Sequence, residues 1–222
     1  MNNNRVSPVS VRCWVALIVL CVASLAAHLA LLPQLPDAVP LHFGASGEVD
    51  GWGAKWQALL LDVLPLALLA LFYLVPRIDP KGHNYERSGK VYQLFVVLFT
   101  LMMMAMTWPP ELVAFGLVSG DSFGLVVPLM VGVLFVVLGN YLPRVRDNYT
   151  FGFRTPWALD DESNWRRTQR FGGVVLIVSG LAFVLAALMG GGVLWFVLAV
   201  GLTIAGAIGA YVYSYLLWRA SK

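Results

Sequence analysis

The chain has 222 residues, of which 59% are hydrophobic and only 12% are charged. Charged residues make up about a quarter of an ordinary soluble domain, so this composition excludes that class of protein. The net charge of +3 is small and gives no indication of a nucleic-acid partner. The sequence therefore predicts an integral membrane protein whose first partner is the lipid bilayer.

Six apolar runs of about twenty residues follow one another, and each is long enough to cross a hydrocarbon core about 30 Å thick. Backbone groups in lipid must be satisfied within the segment, so each run is predicted to be a helix. The runs are residues 12–32, 56–76, 90–107, 122–143, 172–189 and 193–218. The predicted fold class is thus all-α, a six-helix transmembrane bundle in the plasma membrane.

Positive charge predicts the orientation of this bundle. Six spans place fourteen of the 15 Lys and Arg residues on one side and Lys55 alone on the other. Lys and Arg mark the cytoplasmic side, so both termini are expected in the cytoplasm. Arg5 and Arg12 before the first apolar run are also typical of a signal peptide with a cleavage site near Ala26. Because the run continues to Leu32, a retained membrane anchor is the preferred interpretation.

The first outer loop, residues 33–55, combines three prolines that resist helix with four glycines that permit tight turns. His42 lies near Asp37, Glu48 and Asp50, but the spacing matches no known zinc-ligand pattern, so no metal is expected. Contact with an external ligand, or hydrogen bonds that fix the loop, are the preferred roles. The candidate ligand-facing residues are Asp37, His42, Phe43, Asp50, Trp52 and Lys55.

Asp62 is the one carboxylate inside a predicted span, where ionisable side chains are costly and indicate function. His28 lies at a similar depth, near the outer end of the first span. The two side chains could pair or line an outer-facing polar cavity, which would suit a small transporter or an ion pathway. Alternatively, Asp62 is shallow and hydrated, and only caps the bend at Pro65. Both interpretations remain open.

The inner loop, residues 144–171, is basic and aromatic. Asp160, Asp161 and Glu162 predict a helix start, because carboxylates in a first turn suit the positive end of the helix dipole. An interfacial anchor would explain the arginines, but an anchor needs no particular residue order, and this loop is ordered in detail. A folded loop available to a cytoplasmic partner is therefore expected. Its candidate residues are Asn148, Tyr149, Arg154, Thr155, Pro156, Trp157, Trp165 and Thr168.

Motifs of known enzymes are absent from the sequence. It contains no zinc-peptidase motif, no nucleophile elbow, no phosphate-binding loop and no Cys-x-x-Cys. Of the three histidines, His83 lies on the inner side and cannot join the other two without crossing the membrane. We therefore expect no catalytic residue, no cofactor and no enzymatic activity.

The ordered motifs resemble those of a known family. Four of them are similar to the signature of the SdpI family of bacterial membrane immunity proteins: Gly139-Asn140-Tyr141-Leu142-Pro143, Asn148-Tyr149, Gly152-x-Arg154-Thr155-Pro156-Trp157 and Trp165-x-x-Thr168. The outer segment between Leu35 and Lys55 resembles the uncharacterised N-terminal domain that often accompanies this family. The expected division is an N-terminal two-helix unit, residues 1–76, and an SdpI-like four-helix unit, residues 77–222.

The resemblance implies two non-catalytic functions. The family's prototype protects a cell from a secreted peptide toxin that collapses the membrane potential, and it also holds a small DNA-binding autorepressor at the membrane. The outer loop would then face the toxin, and the inner loop would bind the repressor. The family often has a histidine after the Thr of its last motif, where this chain has Gln169, so any role of that histidine does not carry over.

Overall fold

The computed structural model describes residues 7–222, so Arg5, which contributes to the predicted charge asymmetry, lies outside the described residues. Within residues 7–222, six helical segments are long and apolar enough to cross a membrane. They are Val11–Gln34, Lys55–Ile78, Gly89–Ala114, Gly120–Arg144, Glu162–Leu188 and Val193–Ala220. The prediction of a multipass helical membrane bundle is therefore confirmed. Which end faces the cytoplasm stays a prediction.

The secondary-structure elements follow the predicted order, with short helices and one hairpin between the spans. The helices are α1 (Val11–Leu31), α2 (Lys55–Asp62), α3 (Leu64–Ile78), α4 (His83–Arg87), α5 (Gly89–Ala105), α6 (Pro109–Ala114), α7 (Phe123–Tyr141), α8 (Pro156–Asp160), α9 (Glu162–Leu188) and α10 (Val193–Ala220). The strands are β1 (Ala38–Phe43) and β2 (Val49–Ala54).

The chain alternates between the two ends of the bundle. The hairpin end carries residues 33–54 together with the turns at 115–119 and 189–192. The arginine end carries residues 79–88 and 145–161. Each candidate site lies at one of these two ends.

The second span is broken into two helices at Val63. α2 ends at Asp62, and α3 begins at Leu64 with Pro65 in its first turn, where the missing proline N–H removes no helical hydrogen bond. The Asp62 side chain is fully buried at this break. The interpretation of Asp62 as a hydrated side chain is therefore wrong, and its depth in the membrane stays a prediction.

The segment predicted to be rich in turns folds into a β-hairpin. β1 pairs antiparallel with β2, from Ala38 opposite Ala54 to Phe43 opposite Val49. Val39 in β1 is fully buried against α2 and the residues before the strand, so the hairpin is fixed to the bundle. The all-α class therefore needs one small addition, a two-stranded sheet at the hairpin end.

Glycines bring the tip of the hairpin against the start of α7. Gly47 has a φ of +91°, which L side chains rarely adopt, and a Cβ there would lie 2.6 Å from the carbonyl oxygen of Asp121. A Cβ on Gly124 would in turn overlap the backbone of Ser46. The hairpin tip and the fourth span are therefore in direct backbone contact.

Glycines also set the close packing of α7 on α9. A Cβ on Gly132 would lie 2.7 Å from the carbonyl oxygen of Gly180, and a Cβ on Gly139 would lie 2.6 Å from that of Gly173. Small residues let helix backbones approach closely in lipid, where dispersion rather than the hydrophobic effect drives association. α10 packs on α9 as well, so α9 is the central helix of this half of the bundle.

Candidate functional site

A buried carboxylate joins the two loops of the arginine end. Asp79 follows α3 and is 4% exposed. Its Oδ2 accepts hydrogen bonds from the Tyr85 hydroxyl (2.8 Å), the Tyr149 backbone N–H (2.9 Å) and the Thr150 hydroxyl (3.1 Å). Its Oδ1 accepts from the Lys81 backbone N–H (2.8 Å). Burial raises the pKa of Tyr85 well above its ordinary value, so this phenol stays protonated as a donor.

Lys81 adds a second connection between the same two loops. Its Nζ lies 2.7 Å from Asp147 Oδ2 and donates to the carbonyl oxygen of Leu159 at 3.0 Å. The Asn84 amide donates to the backbone carbonyl of Asp147 at 2.8 Å. Because most of the Lys81 and Asp147 side chains is shielded from solvent, this ion pair is screened less than a surface pair.

Asn148 shapes a tight turn at the start of the loop. Its Oδ1 accepts from the backbone N–H groups of Thr150 (2.9 Å) and Phe151 (2.6 Å). Its Nδ2 donates to the carbonyl oxygens of Arg146 (2.8 Å) and Phe151 (3.0 Å). The residue is 3% exposed, so it fixes the backbone and does not present a surface to a partner.

Thr155 and Thr168 belong to a buried polar network. The Thr155 Oγ1 accepts from the Ala158 N–H (3.1 Å), which starts α8, and its hydroxyl shares a hydrogen bond with Ser214. Asn164 Oδ1 accepts from the hydroxyls of Thr168 (2.9 Å) and Ser214 (2.8 Å). The network joins the loop to α9 and α10, which explains why these residues occur in a particular order.

Both tryptophans of the loop pack inward. Trp165 is 1% exposed, and its Nε1 donates to the carbonyl oxygen of Val145 at 2.8 Å. Trp157 packs its ring against Tyr211 and Tyr215 of α10, with centroid distances of 5.2 Å and 5.0 Å. These contacts hold α8 and the loop under the last span.

Gln169 fixes the far side of the loop. Its Nε2 donates to the carbonyl oxygen of Phe153 at 2.8 Å, and its Oε1 accepts from the Phe153 N–H at 3.0 Å. The Gln169 side-chain amide thus makes the same two hydrogen bonds to the Phe153 backbone that a paired residue of a neighbouring β-strand would make. Its role here is structural.

Of the eight candidate partner-binding residues, Tyr149, Arg154 and Pro156 are exposed. The Arg154 guanidinium donates to the backbone carbonyl oxygen of Tyr149 at 2.8 Å, and this hydrogen bond holds the two exposed residues next to each other on the loop. The other five are buried or packed against the bundle. The structure therefore narrows the candidate surface to three residues, and the remainder of the motif positions them.

At the hairpin end, the predicted ligand-facing charges form two separate pairs. His42 Nδ1 contacts Asp50 Oδ1, with the two side chains 73% and 46% exposed. Lys55 Nζ lies 3.2 Å from Asp37 Oδ1, and Asp37 is fully exposed. Exposed pairs of this kind contribute at most about 1 kcal/mol to stability. The His42 and Asp50 pair also lines a cavity of about 400 Å³ between the hairpin and α7.

The aromatic residues of the hairpin divide into an inner and an outer set. Phe43 packs against Phe123 at a centroid distance of 4.8 Å and so belongs to the contact with α7. Trp52 and the neighbouring Trp56 are 63% and 58% exposed. Trp prefers the level of the lipid headgroups, so these two rings lie where the protein, water and lipid would meet.

Three titratable side chains meet where the first three spans reach the hairpin end. His28 Nε2 lies 3.3 Å from Asp62 Oδ1, and His28 Nδ1 lies 2.9 Å from Glu111 Oε1. The Thr107 hydroxyl lies 3.2 Å from His28 Nε2 and donates to the carbonyl oxygen of Met104. The structure thus brings His28 and Asp62 together, and it adds Glu111 and Thr107.

Glu111 lies between the predicted runs 90–107 and 122–143, so the search for ionisable residues inside the spans did not include it. Two prolines followed by a carboxylate are the pattern of a helix start, and α6 does begin at Pro109. One donor atom each from His28, Asp62 and Glu111 lies within 4.8 Å of the others. In the described part of the chain, these are the residues that could hold a metal ion.

Comparison with known proteins confirms the resemblance. The SdpI/YfhL protein family matches residues 144–214, and the domain of unknown function DUF1648 matches residues 19–69. The immunity protein SdpI of Bacillus subtilis (strain 168) is 23% identical over 174 residues, which cover 78% of this chain and 79% of that protein. No solved structure shows significant similarity to the chain. The two matched segments include the arginine-end loop and the hairpin, respectively.

Proposed function

We propose that this chain, which carries the SdpI/YfhL family segment, is a membrane immunity protein that protects its cell from a secreted peptide toxin. The observation that carries the proposal is the extent of the similarity to an immunity protein. A match over 174 of 222 residues spans most of the bundle rather than a single loop. The proposed role requires no catalysis, in line with the missing enzyme motifs.

The hairpin is the proposed toxin-facing element. It is fixed to the bundle through Val39 and its glycine tip, and Trp52 of β2 is exposed beside the exposed Trp56 of α2. A peptide that damages membranes collects at the level of the lipid headgroups, because its apolar face is buried in the boundary between headgroups and acyl chains. Among residues 7–222, Lys55 is the only Lys or Arg at this end, which supports its assignment as the outer end.

A protection assay tests this role. The chain is expressed in cells sensitive to a secreted peptide toxin that collapses the membrane potential, and the potential is followed with a voltage-sensitive dye. We expect the potential to hold with the wild-type chain and to fall with Trp52→Ala. Trp195→Ala is the matched control, since Trp195 lies near the same end but outside the hairpin. Collapse with an inserted wild-type chain would contradict immunity to that toxin.

The arginine end is the proposed binding surface for a cytoplasmic autorepressor. Tyr149, Arg154 and Pro156 are exposed on a loop whose other side is held by buried hydrogen bonds. Such a surface is already ordered before a partner binds, so little conformational entropy is lost on association. A cationic side chain beside an aromatic ring suits an acidic or aromatic patch on the partner.

Membrane co-fractionation of the repressor, with toxin present, tests this second role. Arg154→Ala is expected to release the repressor to the soluble fraction while insertion of the chain is unchanged. Arg170→Ala is the control, because Arg170 is an exposed arginine near the same end but lies on α9, outside residues 145–161. Equal retention by both variants would argue against binding at this surface. Trp157 is unsuitable for this test, because its loss would also loosen α10.

An ion pathway or a small transporter that depends on Asp62 is the alternative function. It would predict flux of an ion or solute across reconstituted vesicles, with loss of flux in Asp62→Asn. In the immunity function, vesicles that contain the chain without toxin show no such flux. The two functions are therefore distinguished by one measurement.

A further inference from the structure

We propose that His28, Asp62 and Glu111 form a binding site for a divalent transition-metal ion of the zinc class, buried at the hairpin end of the bundle. This site goes beyond the proposed immunity function and does not depend on it. It lies on three different spans, and it is separate from the exposed His42 and Asp50 pair of the hairpin.

The donor set fits such an ion in chemistry. Imidazole nitrogen and carboxylate oxygen are both Zn²⁺ ligands, and zinc sites with an open position have three protein ligands, the number present here. Ca²⁺ and Mg²⁺ prefer oxygen ligands in larger number, so the imidazole disfavours them. The Thr107 oxygen, 3.2 Å from His28 Nε2, adds a neutral polar group beside the set.

The donor set also fits the ion in size. Donors of a tetrahedral ion at about 2.1 Å from the metal are separated by about 3.4 Å from one another. His28 Nε2 and Asp62 Oδ1 are 3.3 Å apart, and one donor atom from each of the three residues lies within 4.8 Å of the others. Glu111 Oε1 lies 2.9 Å from Nδ1, at the other ring nitrogen, so the Glu111 side chain has to turn towards Nε2 for one ion to be held by all three residues.

Unpartnered buried oxygens are the second, independent observation. The side chains of His28, Asp62 and Glu111 are 0%, 0% and 3% exposed. Asp62 Oδ2 and Glu111 Oε2 nevertheless have no hydrogen-bond partner, and the contact of Asp62 Oδ1 is the 3.3 Å ion pair with His28 Nε2. Buried carboxylate oxygens are normally satisfied by donors or by a cation, so these atoms point to a ligand that accepts their electron pairs.

Charge leads to the same conclusion. Both ring nitrogens of His28 face carboxylate oxygens, and a protonated imidazole with two carboxylates carries a net charge of −1. A dication bound to a neutral imidazole and two carboxylates brings the same buried group to zero. A charge left unbalanced in an apolar interior is strongly unfavourable, so the site requires more positive charge than one proton supplies, and a dication is one source of it.

The surroundings hold the ligands in place. The Trp108 ring lies over the His28 ring at a centroid distance of 4.2 Å, and its Nε1 donates to Ser24 Oγ at 3.1 Å. Asp62 is the last residue of α2, and Glu111 lies in the first turn of α6. Each carboxylate is therefore attached to the end of a helix, which fixes the position of its backbone. An ion bound here would join the first three spans.

The test uses the full chain, purified in detergent, stripped with a chelator and then loaded with Zn²⁺ alone. We expect about one tightly held zinc ion per chain by elemental analysis after dialysis. Asp62→Asn and Glu111→Gln should each weaken zinc binding at least tenfold. The control His42→Ala should bind zinc as the wild type does, because its imidazole belongs to the exposed pair.

Loading with Co²⁺ provides a readout that does not depend on the variants. A cobalt ion held by His28, Asp62 and Glu111 in a tetrahedral or five-coordinate site gives intense visible absorption bands, which a hydrated ion does not. Folded wild-type chain that shows neither retained zinc nor these bands would overturn the proposal. Loss of zinc in His42→Ala with retention in Asp62→Asn would overturn it equally, because the ion would then be bound by the hairpin.

Discussion

Replacing Asp79 with Asn tests whether one buried carboxylate holds the arginine end together. Asn keeps the size of the side chain but removes its charge and replaces one oxygen with an NH₂ group. If the NH₂ group takes the Oδ1 position, the three bonds at Oδ2 survive as neutral hydrogen bonds. The Lys81 backbone N–H, which donates a hydrogen bond to Oδ1 in the wild type, then has no acceptor.

The magnitude follows from these four bonds. A hydrogen bond to a charged group contributes about 1.5–3 kcal/mol and a neutral one about 0.5–1.5 kcal/mol, so each of the three surviving bonds weakens by about 1 kcal/mol. The unpaired Lys81 N–H costs about 1 kcal/mol more. Since the bonds share one acceptor group they are not additive, and we expect a total loss of about 2–4 kcal/mol.

Amide hydrogen exchange on the full chain measures this loss directly. A change of 2–4 kcal/mol in local opening lowers protection about 30- to 1,000-fold. The decrease should be confined to the loop amides around Tyr149 and Thr150. Asp160→Asn is the control, because Asp160 is an exposed carboxylate of the same loop. Equal protection in the two variants would refute the role assigned to Asp79.

Three further changes probe packing at other places. Gly180→Ala should lower the thermal midpoint of unfolding by an amount equivalent to about 1–3 kcal/mol, because the new Cβ would lie 2.5 Å from the Gly132 carbonyl oxygen. Gly201→Ala is the control and should leave the midpoint unchanged, because no atom lies within 4 Å of a Cβ at that position. Trp157→Ala should destabilise the contact with α10 by about 2–4 kcal/mol, and Trp157→Phe should destabilise it by less, because Phe keeps an aromatic ring against Tyr211 and Tyr215. Hydrogen exchange of the α10 amides measures both effects. Equal effects of the two variants would exclude ring packing as the cause. His42→Ala should change unfolding free energy by less than about 1 kcal/mol, and a larger change would mean that the exposed pair is stronger than its solvent exposure allows.

The spans could be predicted from the sequence because lipid leaves a backbone so few alternatives. An apolar run of sufficient length must be helical, and each observed span overlaps its predicted range. The start of α9 was equally accessible, since the Asp161 side chain accepts from the Asn164 N–H at 2.9 Å, a local interaction that residue order specifies.

The hairpin and the polar cluster could not be predicted in the same way. β1 contains Pro40, and β2 contains Gly51 and Gly53, and these residues weaken the local strand signal. The contact of His28 with Glu111 links residues 83 positions apart, and no local pattern encodes it. The ordered motif of the inner loop was recognised correctly, but most of its order reflects internal hydrogen bonds rather than a surface for a partner.

The glycine contact between the hairpin tip and α7 constrains how such proteins can be recombined. Gly47 lies within the segment that matches DUF1648, while Gly124 lies outside both matched segments and immediately opposes the tip. A hairpin grafted from a relative would pack against the fourth span only if that span also has glycine at the position of Gly124. Chimeras should therefore exchange the hairpin together with the start of α7, and swaps made at the borders of the matched segments are expected to misassemble.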